Sequence, residues 1–362
     1  MFKTRPFIVG TSVSLLFVCL FVYKISIRDM ISALNQAEYF YLGPAVALYF
    51  MAVFFRAVRW QYIMMPVSKI STFRLFPVVT VGYMANNLLP ARLGEVVRAY
   101  YLSRREGVSS GTGLATIIIE RVYDGLTLIF LLLITVPFII FSGLTAGSGA
   151  ASAISWSISG FVAIFGFVTA IVLLTFLASN PKSGGFVEMF PRFVPRTIRP
   201  KVKELIGFFI EGLYVLRDPR RQIGVFALSL PVWLLEGSMY LLIALSFDLP
   251  SLFSPAILIV PVIILVTSVS NIATSIPSSP GSIGTFEVAA AAALTLVGVT
   301  EGVAGAFVLL VHMALLVPVT ILGLVYLWSG SISLYSLTGQ APDKASTGAF
   351  SDDRLLTNRR DK

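Results

Sequence analysis

Charge is the scarcest commodity in this sequence: 12% of its 362 residues are Asp, Glu, Lys or Arg, against roughly 25% in soluble globular domains. With 56% apolar residues and a mean hydropathy of +0.87, the chain reads as a polytopic membrane protein. The single cysteine, Cys19, excludes an internal disulfide and a thiolate metal cluster. The single histidine, His312, comes with no H-E-x-x-H, no Asp-rich diphosphate motif and no serine elbow, so no metal site or nucleophile and base pair is recognisable. A carboxylate pair such as Glu95 and Glu287 acting as acid and base stays open. Gly281-Ser282-Ile283-Gly284 lacks a Walker lysine and a Rossmann context, so it is not a phosphate-cradling loop, and no motif for ATP hydrolysis is present. No cofactor and no metal are expected. The net charge of +9 is spread over loops between apolar segments, which fits membrane orientation and argues against nucleic acid.

Phe7 to Tyr23, preceded by Lys3 and Arg5, has too long an apolar run and no small-residue cleavage site, so it is a first transmembrane helix rather than a leader. A short mixed-charge loop (Arg28, Asp29, Glu38) precedes the second span, Leu42 to about Ile63, where Arg56, Arg59 and Trp60 serve as topology anchors. Leu75 to Leu89 is short, runs into Pro90 and has basic residues on both flanks, which predicts one arm of a re-entrant hairpin from the cytoplasmic side. Thr112 to Phe141 is a long span that buries Glu120, Arg121 and Asp124, and Trp156 to Leu177 returns inward. Residues 200–217 form an amphipathic helix on the inner surface, facing anionic headgroups. Ile223 to Leu245 crosses outward with Glu236 inside it. Pro255 to Ser275, a Pro/Ser/Gly break and an alanine-rich helix to about Val299 make a second hairpin; its flanks, Asp248 and Glu301, lack lysine and arginine, so it enters from outside. Val303 to Trp328 is the last span, and the polar tail is cytoplasmic and disordered.

The two breaks carry the chemistry. In Asn86-Asn87-Leu88-Leu89-Pro90-Ala91-Arg92-Leu93-Gly94-Glu95-Val96-Val97-Arg98, a proline and several polar side chains interrupt an apolar run. Broken backbone at membrane depth survives only where protein or a water-filled cavity surrounds it. Arg92, Glu95 and Arg98 are spaced three apart, which on a helix starting at Pro90 puts them on one face. That face either contacts a substrate or is an ion-pair cluster bracing the break. Glu120, Arg121 and Asp124 either satisfy one another or pair with Arg56 and Arg59. Glu287, at the opening of a helix, suits the helix dipole or a cargo. His312 reads as a packed or hydrogen-bonded core residue rather than a proton relay. Inverted hairpins meeting near the midplane are how secondary transporters build a substrate site.

The first of these motifs, together with Glu120-Arg121-Val122-Tyr123-Asp124 and Pro277-Ser278-Ser279-Pro280-Gly281-Ser282-Ile283-Gly284-Thr285-Phe286-Glu287, resembles the lysylphosphatidylglycerol synthase transmembrane family from Phe7 to about Trp328. This flippase-like domain occurs in the multiple peptide resistance factor and in many stand-alone bacterial and archaeal proteins. The resemblance implies lipid handling. After Trp328 no soluble aminoacyl-transfer domain follows, so lysyl transfer is not expected to be this chain's own reaction.

The expectation is therefore an all-α polytopic membrane protein with about six full spans and two opposed broken-helix hairpins. One flippase-like domain covers 1–328 and a tail covers 329–362, with both termini cytoplasmic at the cell membrane. The expected function is translocation of a phospholipid, aminoacyl-phospholipid or lipid-linked glycan headgroup between leaflets, without catalysis. The alternatives are a non-catalytic partner of a separately encoded glycosyl- or aminoacyl-transferase, and an intramembrane lipid-modifying enzyme. Asn86, Asn87, Arg92, Glu95, Arg98 and Glu287 are the expected substrate contacts. Pro90, Gly94, Pro277, Pro280, Gly281 and Gly284 are the expected hinges, and Arg56, Arg59, Glu120, Arg121, Asp124 and Glu236 form a structural or coupling network.

Overall fold

The computed structural model describes residues 4–89, 92–144, 218–276 and 279–329. Pro90, Pro277, the 156–177 span, the 200–217 helix and the tail beyond 329 lie outside the described residues. The described chain is all helical, with α1 (Thr4–Lys24), α2 (Ile27–Gln36), α3 (Leu42–Met64), α4 (Thr72–Leu88), α5 (Gly94–Glu106), α6 (Ser110–Phe141), α7 (Pro219–Ser246), α8 (Ile259–Ala273), α9 (Thr285–Leu296) and α10 (Glu301–Ser329). Among the described residues, five helices are long and apolar enough to cross a membrane: α3, α6, α7, α8 with its preceding turn, and α10. The protein is thus a multi-pass membrane protein. On length and composition α8 reaches across by itself, although the sequence reading makes it one arm of a hairpin.

One element was not foreseen. The mixed-charge loop after the first span folds as α2, an amphipathic helix capped by Ser26, whose Oγ accepts the Asp29 N–H. It lies on α10, where glycine makes the room: a Cβ at Gly302 would collide with Asp29, and one at Gly305 with Ile25. Mixed charge marked the polar face of this helix, while Ile27, Met30 and Ile31 recur at the spacing of an apolar one.

Side-chain contacts fix which helix ends lie together. Helices α3 and α7 are antiparallel: Tyr62 covers Gly224 at one end, and the Glu38 N–H donates to the Ser246 carbonyl, 2.9 Å, at the other. Helices α4 and α10 are also antiparallel, with Phe76 edge-on to Tyr326 and Met84 seated over Gly323. Arg74, in the first turn of α4, pairs with Glu106, in the last turn of α5, at 3.0 Å. The first hairpin therefore returns to the end from which it enters. Helix α8 begins soon after α7 ends, and α9 ends just before α10 begins, so the second hairpin opens to the opposite end. The opposition expected from the sequence is present.

Between apolar helices in lipid the driving force is close packing rather than expulsion of water, and small residues set how near backbones come. A Cβ at Gly94 would collide with the Gly82 carbonyl and with Asn86, and one at Gly82 with Arg98. These two glycines press the arms of the first hairpin together.

Candidate functional site

The helix after the first break starts at Gly94, not at Pro90. This corrects the one-face expectation. Arg92 lies before the helix in the left-handed conformation, φ +55°, which costs a non-glycine residue about 1–2 kcal/mol. Its Nη2 donates to the Thr274 carbonyl, 2.6 Å, and to Thr274 Oγ1, 3.2 Å, in the second break. The two breaks thus touch through Arg92. Arg98, about one turn into α5, points the other way. It is buried, donates both Nη groups to the two oxygens of Glu120 at 3.1 and 2.9 Å, and lays its guanidinium 3.7 Å from the Trp60 ring centroid.

Glu120 is the hub of a buried ionic network spanning α3, α5 and α6. It accepts from Arg98 and from Arg121 Nη2, 2.9 Å, and lies 3.3 Å from Arg59 Nη2. Arg59, fully buried, donates through Nη1 to Asp124, 2.7 Å, and to Ser229 Oγ on α7, 2.8 Å. Arg121 also reaches Asp124, 3.2 Å, and Glu95, 3.8 Å. A separate pair joins α3 to α7, where Arg56 donates to Glu236 at 2.7 Å, and Glu236 accepts in turn from Asn271 on α8 at 3.0 Å. The sequence reading sets mutual pairing of Glu120, Arg121 and Asp124 against pairing with Arg56 and Arg59; here Arg121 meets both acids and Arg59 meets both acids as well. Arg56 goes to Glu236 instead.

Arg56, Arg92, Glu95, Arg121, Asp124 and Glu236 line a cavity of about 210 Å³, with Arg59, Arg98 and Glu120 outside its lining. Arg92, Glu95 and Arg121 stand at its accessible mouth, with side chains 34, 24 and 30% exposed. Tyr49, Arg56, Trp233 and Glu236 form its buried end. The first break contributes Asn86 and Asn87, the second Asn271, Thr274, Ser275, Ser279, Gly281 and Ser282. Tyr83 Oη, Trp233 Nε1 and Asn86 Oδ1 are buried at this cavity with no hydrogen-bond partner among the described residues. Tyr49, Tyr83, Trp233 and Thr274 escaped the sequence reading, because an aromatic or threonine inside an apolar helix gives no local signal of the face it occupies.

Of the remaining predicted residues, Asn87 and Gly281 line the cavity, and Glu287, Pro280 and Gly284 lie beside it. Asn87 donates to Thr320 Oγ1, 2.9 Å, and to the Leu316 carbonyl, 3.3 Å, tying the first break to α10. Glu287 lies behind the wall rather than on it: it accepts the Gly284 N–H, 2.6 Å, and caps α9. Gly281 and Gly284 take positive φ, +68° and +95°, the conformations that glycine adopts without steric cost. Pro280 opens the short turn between them. No group of three or more metal-ligating side chains occurs among the described residues.

Ionisable groups within membrane-spanning helices are costly, about 2.5–3.5 kcal/mol each at the bilayer centre by insertion scales, and are found paired with one another, as they are in this network. The comparisons agree with a membrane role. The chain is 28% identical over 226 residues to the glycosyltransferase AglD of Haloferax volcanii, covering 58% of this chain but only 35% of that protein. It is 27% identical over 228 residues to the UPF0104 membrane protein MJ1078 of Methanocaldococcus jannaschii, covering 62% of this chain and 84% of that one. To MJ1595 of the same organism it is 24% identical over 250 residues, 67% of this chain and 70% of that one. No solved structure matches it. Residues 7–323 match the model of the lysylphosphatidylglycerol synthase TM region, and with nearly the whole chain covered, the protein belongs to that family.

Proposed function

We propose that the protein translocates a lipid headgroup between leaflets, with Arg92 as the group that receives the headgroup phosphate. The observation that carries this reading is the place of Arg92. Among the described residues five guanidinium groups, Arg56, Arg59, Arg92, Arg98 and Arg121, face four carboxylates, Glu95, Glu120, Asp124 and Glu236. Arg92 is the one whose carboxylate contact is longest, 4.0 Å to Glu95, and it stands at the mouth where both breaks meet. A guanidinium with donors to spare suits a phosphate. Ile272 and Ile276 line the same cavity and are themselves exposed, so acyl tails have an apolar exit toward lipid while the headgroup sits among polar groups.

Lys69, Arg74, Arg104, Arg105, Arg220 and Arg221, with Glu106 and Asp218, lie at the end where the first hairpin opens, a basic excess, and Lys24, Arg28, Asp29, Glu38, Asp248 and Glu301 lie at the other, an acidic excess. By the positive-inside rule the basic end faces the cytoplasm of the cell membrane. The headgroup then enters past Arg92 and Glu95 and moves toward Glu236. The cargo class is an anionic, aminoacylated or polyprenyl-linked lipid. A second reading rests on AglD, where a stretch similar to this chain makes up 35% of a protein named as a glycosyltransferase: the protein hands lipid to a separately encoded transferase.

The test is leaflet redistribution of fluorescent phosphatidylglycerol, its lysyl derivative and a polyprenyl phosphate in vesicles holding the purified protein. Wild type is expected to move at least one of them, and Arg92→Ala to move none while keeping its thermal transition. Transport by a folded Arg92→Ala protein removes Arg92 from the site; no transport by wild type favours the partner reading.

A further inference from the structure

His312, the only histidine of the chain, is buried and hydrogen-bonded, as the sequence reading has it. It lines the cavity from the middle of α10, stacked on Phe286 with ring centroids 4.3 Å apart. Its Nδ1 lies 2.6 Å from Glu287 Oε1 and its Nε2 lies 3.0 Å from the Gly281 carbonyl. Both neighbours are acceptor oxygens, and the other Glu287 oxygen is already engaged by the Gly284 N–H. A carbonyl cannot donate, so Nε2 must carry a hydrogen. A second hydrogen must lie between Nδ1 and Oε1. Whichever atom holds it, the pair contains two hydrogens and is neutral overall.

Removing one hydrogen has a defined consequence. The carboxylate, held in place as the cap of α9, keeps the hydrogen on Nδ1, so Nε2 is left bare, with a lone pair facing the Gly281 carbonyl. That contact turns from attraction to repulsion. Gly281 belongs to the turn of the second break, where Gly281, Ser282 and Gly284 all have positive φ. On α10, residues 312, 316 and 320 follow one stripe at four-residue spacing. His312 holds the second break, while Leu316 and Thr320 hold the first through Asn87. The helix α10 therefore ties both breaks, one of them through a proton.

We infer that the Glu287–His312 pair is a proton-binding site whose occupancy latches the second break to α10, and that proton release frees that arm. This extends the proposed function, naming a proton as the coupling ion of the same cavity. Other charged or titratable groups facing the cavity are Tyr49 and Arg56 from α3, Tyr83 from α4, Arg92 from the first break, Glu95 from α5, Arg121 and Asp124 from α6, and Glu236 from α7. Asp29 of α2 meets α10 at Gly302, ten residues from His312. Among the described residues, Glu287 is the one charged group paired to the imidazole.

With one histidine in the chain, protein labelled with ¹⁵N-histidine and carried on a histidine-free tag gives one imidazole spectrum. In lipid nanodiscs, Nε2 is expected to carry its hydrogen while the pair is occupied and to lose it when the proton is released on raising the pH. The protection factors of the amides from Ser279 to Glu287, taken against the intrinsic exchange rate at each pH, should fall over the same interval. In Glu287→Gln the side-chain amide donates to Nδ1 and its carbonyl accepts the Gly284 N–H, so Nε2 keeps its hydrogen and the protection factors stay constant with pH. An Nε2 whose protonation never changes in wild type, or an exchange profile that ignores it, overturns the proposal. Neither readout involves transport, so failure of the lipid reading alone leaves both results standing. If both readings hold, an imposed pH gradient changes the wild-type transport rate and leaves that of Glu287→Gln unaffected.

Discussion

The two breaks face each other across one cavity and are built on different physics. The first is electrostatic: Arg92 stands in it, and the arm behind it is fixed by Arg98 on Glu120 and by Arg121 near Glu95. The second carries no charged side chain among its described residues from Thr274 to Gly284. It is shaped by positive-φ residues and, apart from the Arg92 guanidinium on Thr274, held by contacts within the second break and to α1 and α10: the Ser279 N–H on Ser14 Oγ, 2.8 Å, Gly284 on Glu287, and His312 on Gly281. An arm anchored in a buried ion network is expensive to move, because separating any pair leaves an uncompensated charge in low dielectric. An arm held by a few hydrogen bonds, each with a net worth of about 0.5–1.5 kcal/mol, is not. Under the proposed function, recognition falls to the first break and movement to the second.

The largest effect that can break this comparison lies at Glu120. Glu120→Gln strands Arg59, Arg98 and Arg121 around a neutral amide, and a loss of about 3–5 kcal/mol is expected from removing one partner of a buried ionic cluster. The counterpart in the second arm, Glu287→Gln, keeps both hydrogen bonds and should cost no more than about 1 kcal/mol. Thermal unfolding of the detergent-solubilised proteins measures both. Equal losses for the two variants erase the distinction.

Glycine gives the next step down. Gly94→Ala drives a methyl group into the Gly82 carbonyl and the Asn86 backbone, groups that cannot swing aside, so about 1–3 kcal/mol is expected, as for other overpacking changes. Gly281→Ala meets only the flexible end of Leu316 but forces alanine into φ +68°, at about 1–2 kcal/mol. The two substitutions should differ more in consequence than in cost. Gly94→Ala separates the arms of the first hairpin and removes Arg92 from the mouth, whereas Gly281→Ala loosens the latch and leaves Arg92 where it is. Reaction of a cysteine introduced at Ser275 with a water-soluble maleimide reports the state of the cavity in each.

How much of this could be read from the chain follows from where the signals lie. Pro90, Gly94 and the arginines are local interruptions of an apolar run, so the first break and its opposition to the second were legible in order and direction. The boundary was not. A proline at a helix start is common enough to place the first turn at Pro90, yet the helix begins at Gly94, because the close approach to Gly82 is a property of α4 and cannot be seen in the local stretch. Pairing was half legible for the same reason. Glu120 and Asp124 with Arg121 are neighbours on one helix, whereas Arg56 with Glu236 joins residues 180 apart. The role of His312 was invisible, since Val311 and Met313 beside it look like any lipid-facing helix and its partners lie 25 and 31 residues away.

Asn87 offers a smaller test. Asn87→Ala removes two hydrogen bonds to α10 and should cost about 1 kcal/mol, with hydrogen exchange rising in the first break while the second keeps its protection. A rise in both would mean that the stripe of α10 transmits order between them without any proton.

The smallest effect concerns the outer ends of the first hairpin. Arg74 reaches Glu106 through Nη2 at 3.0 Å and through Nε at 3.1 Å, but the Arg74 side chain is 61% exposed. Pairs of this kind contribute about 0.2–1 kcal/mol once solvent screening and side-chain entropy are counted. The value of the pair is geometric, because it bridges the first turn of α4 and the last turn of α5 and so reports whether the hairpin is closed. A double-mutant cycle with Arg74→Ala and Glu106→Ala should return a coupling in that range at low salt, shrinking as ionic strength shortens the Debye length below about 10 Å. Headgroup binding at Arg92 should leave the coupling unchanged if the first arm is the rigid one. A coupling that vanishes when lipid is added transfers the movement to the first break, and with it the roles assigned to the two arms.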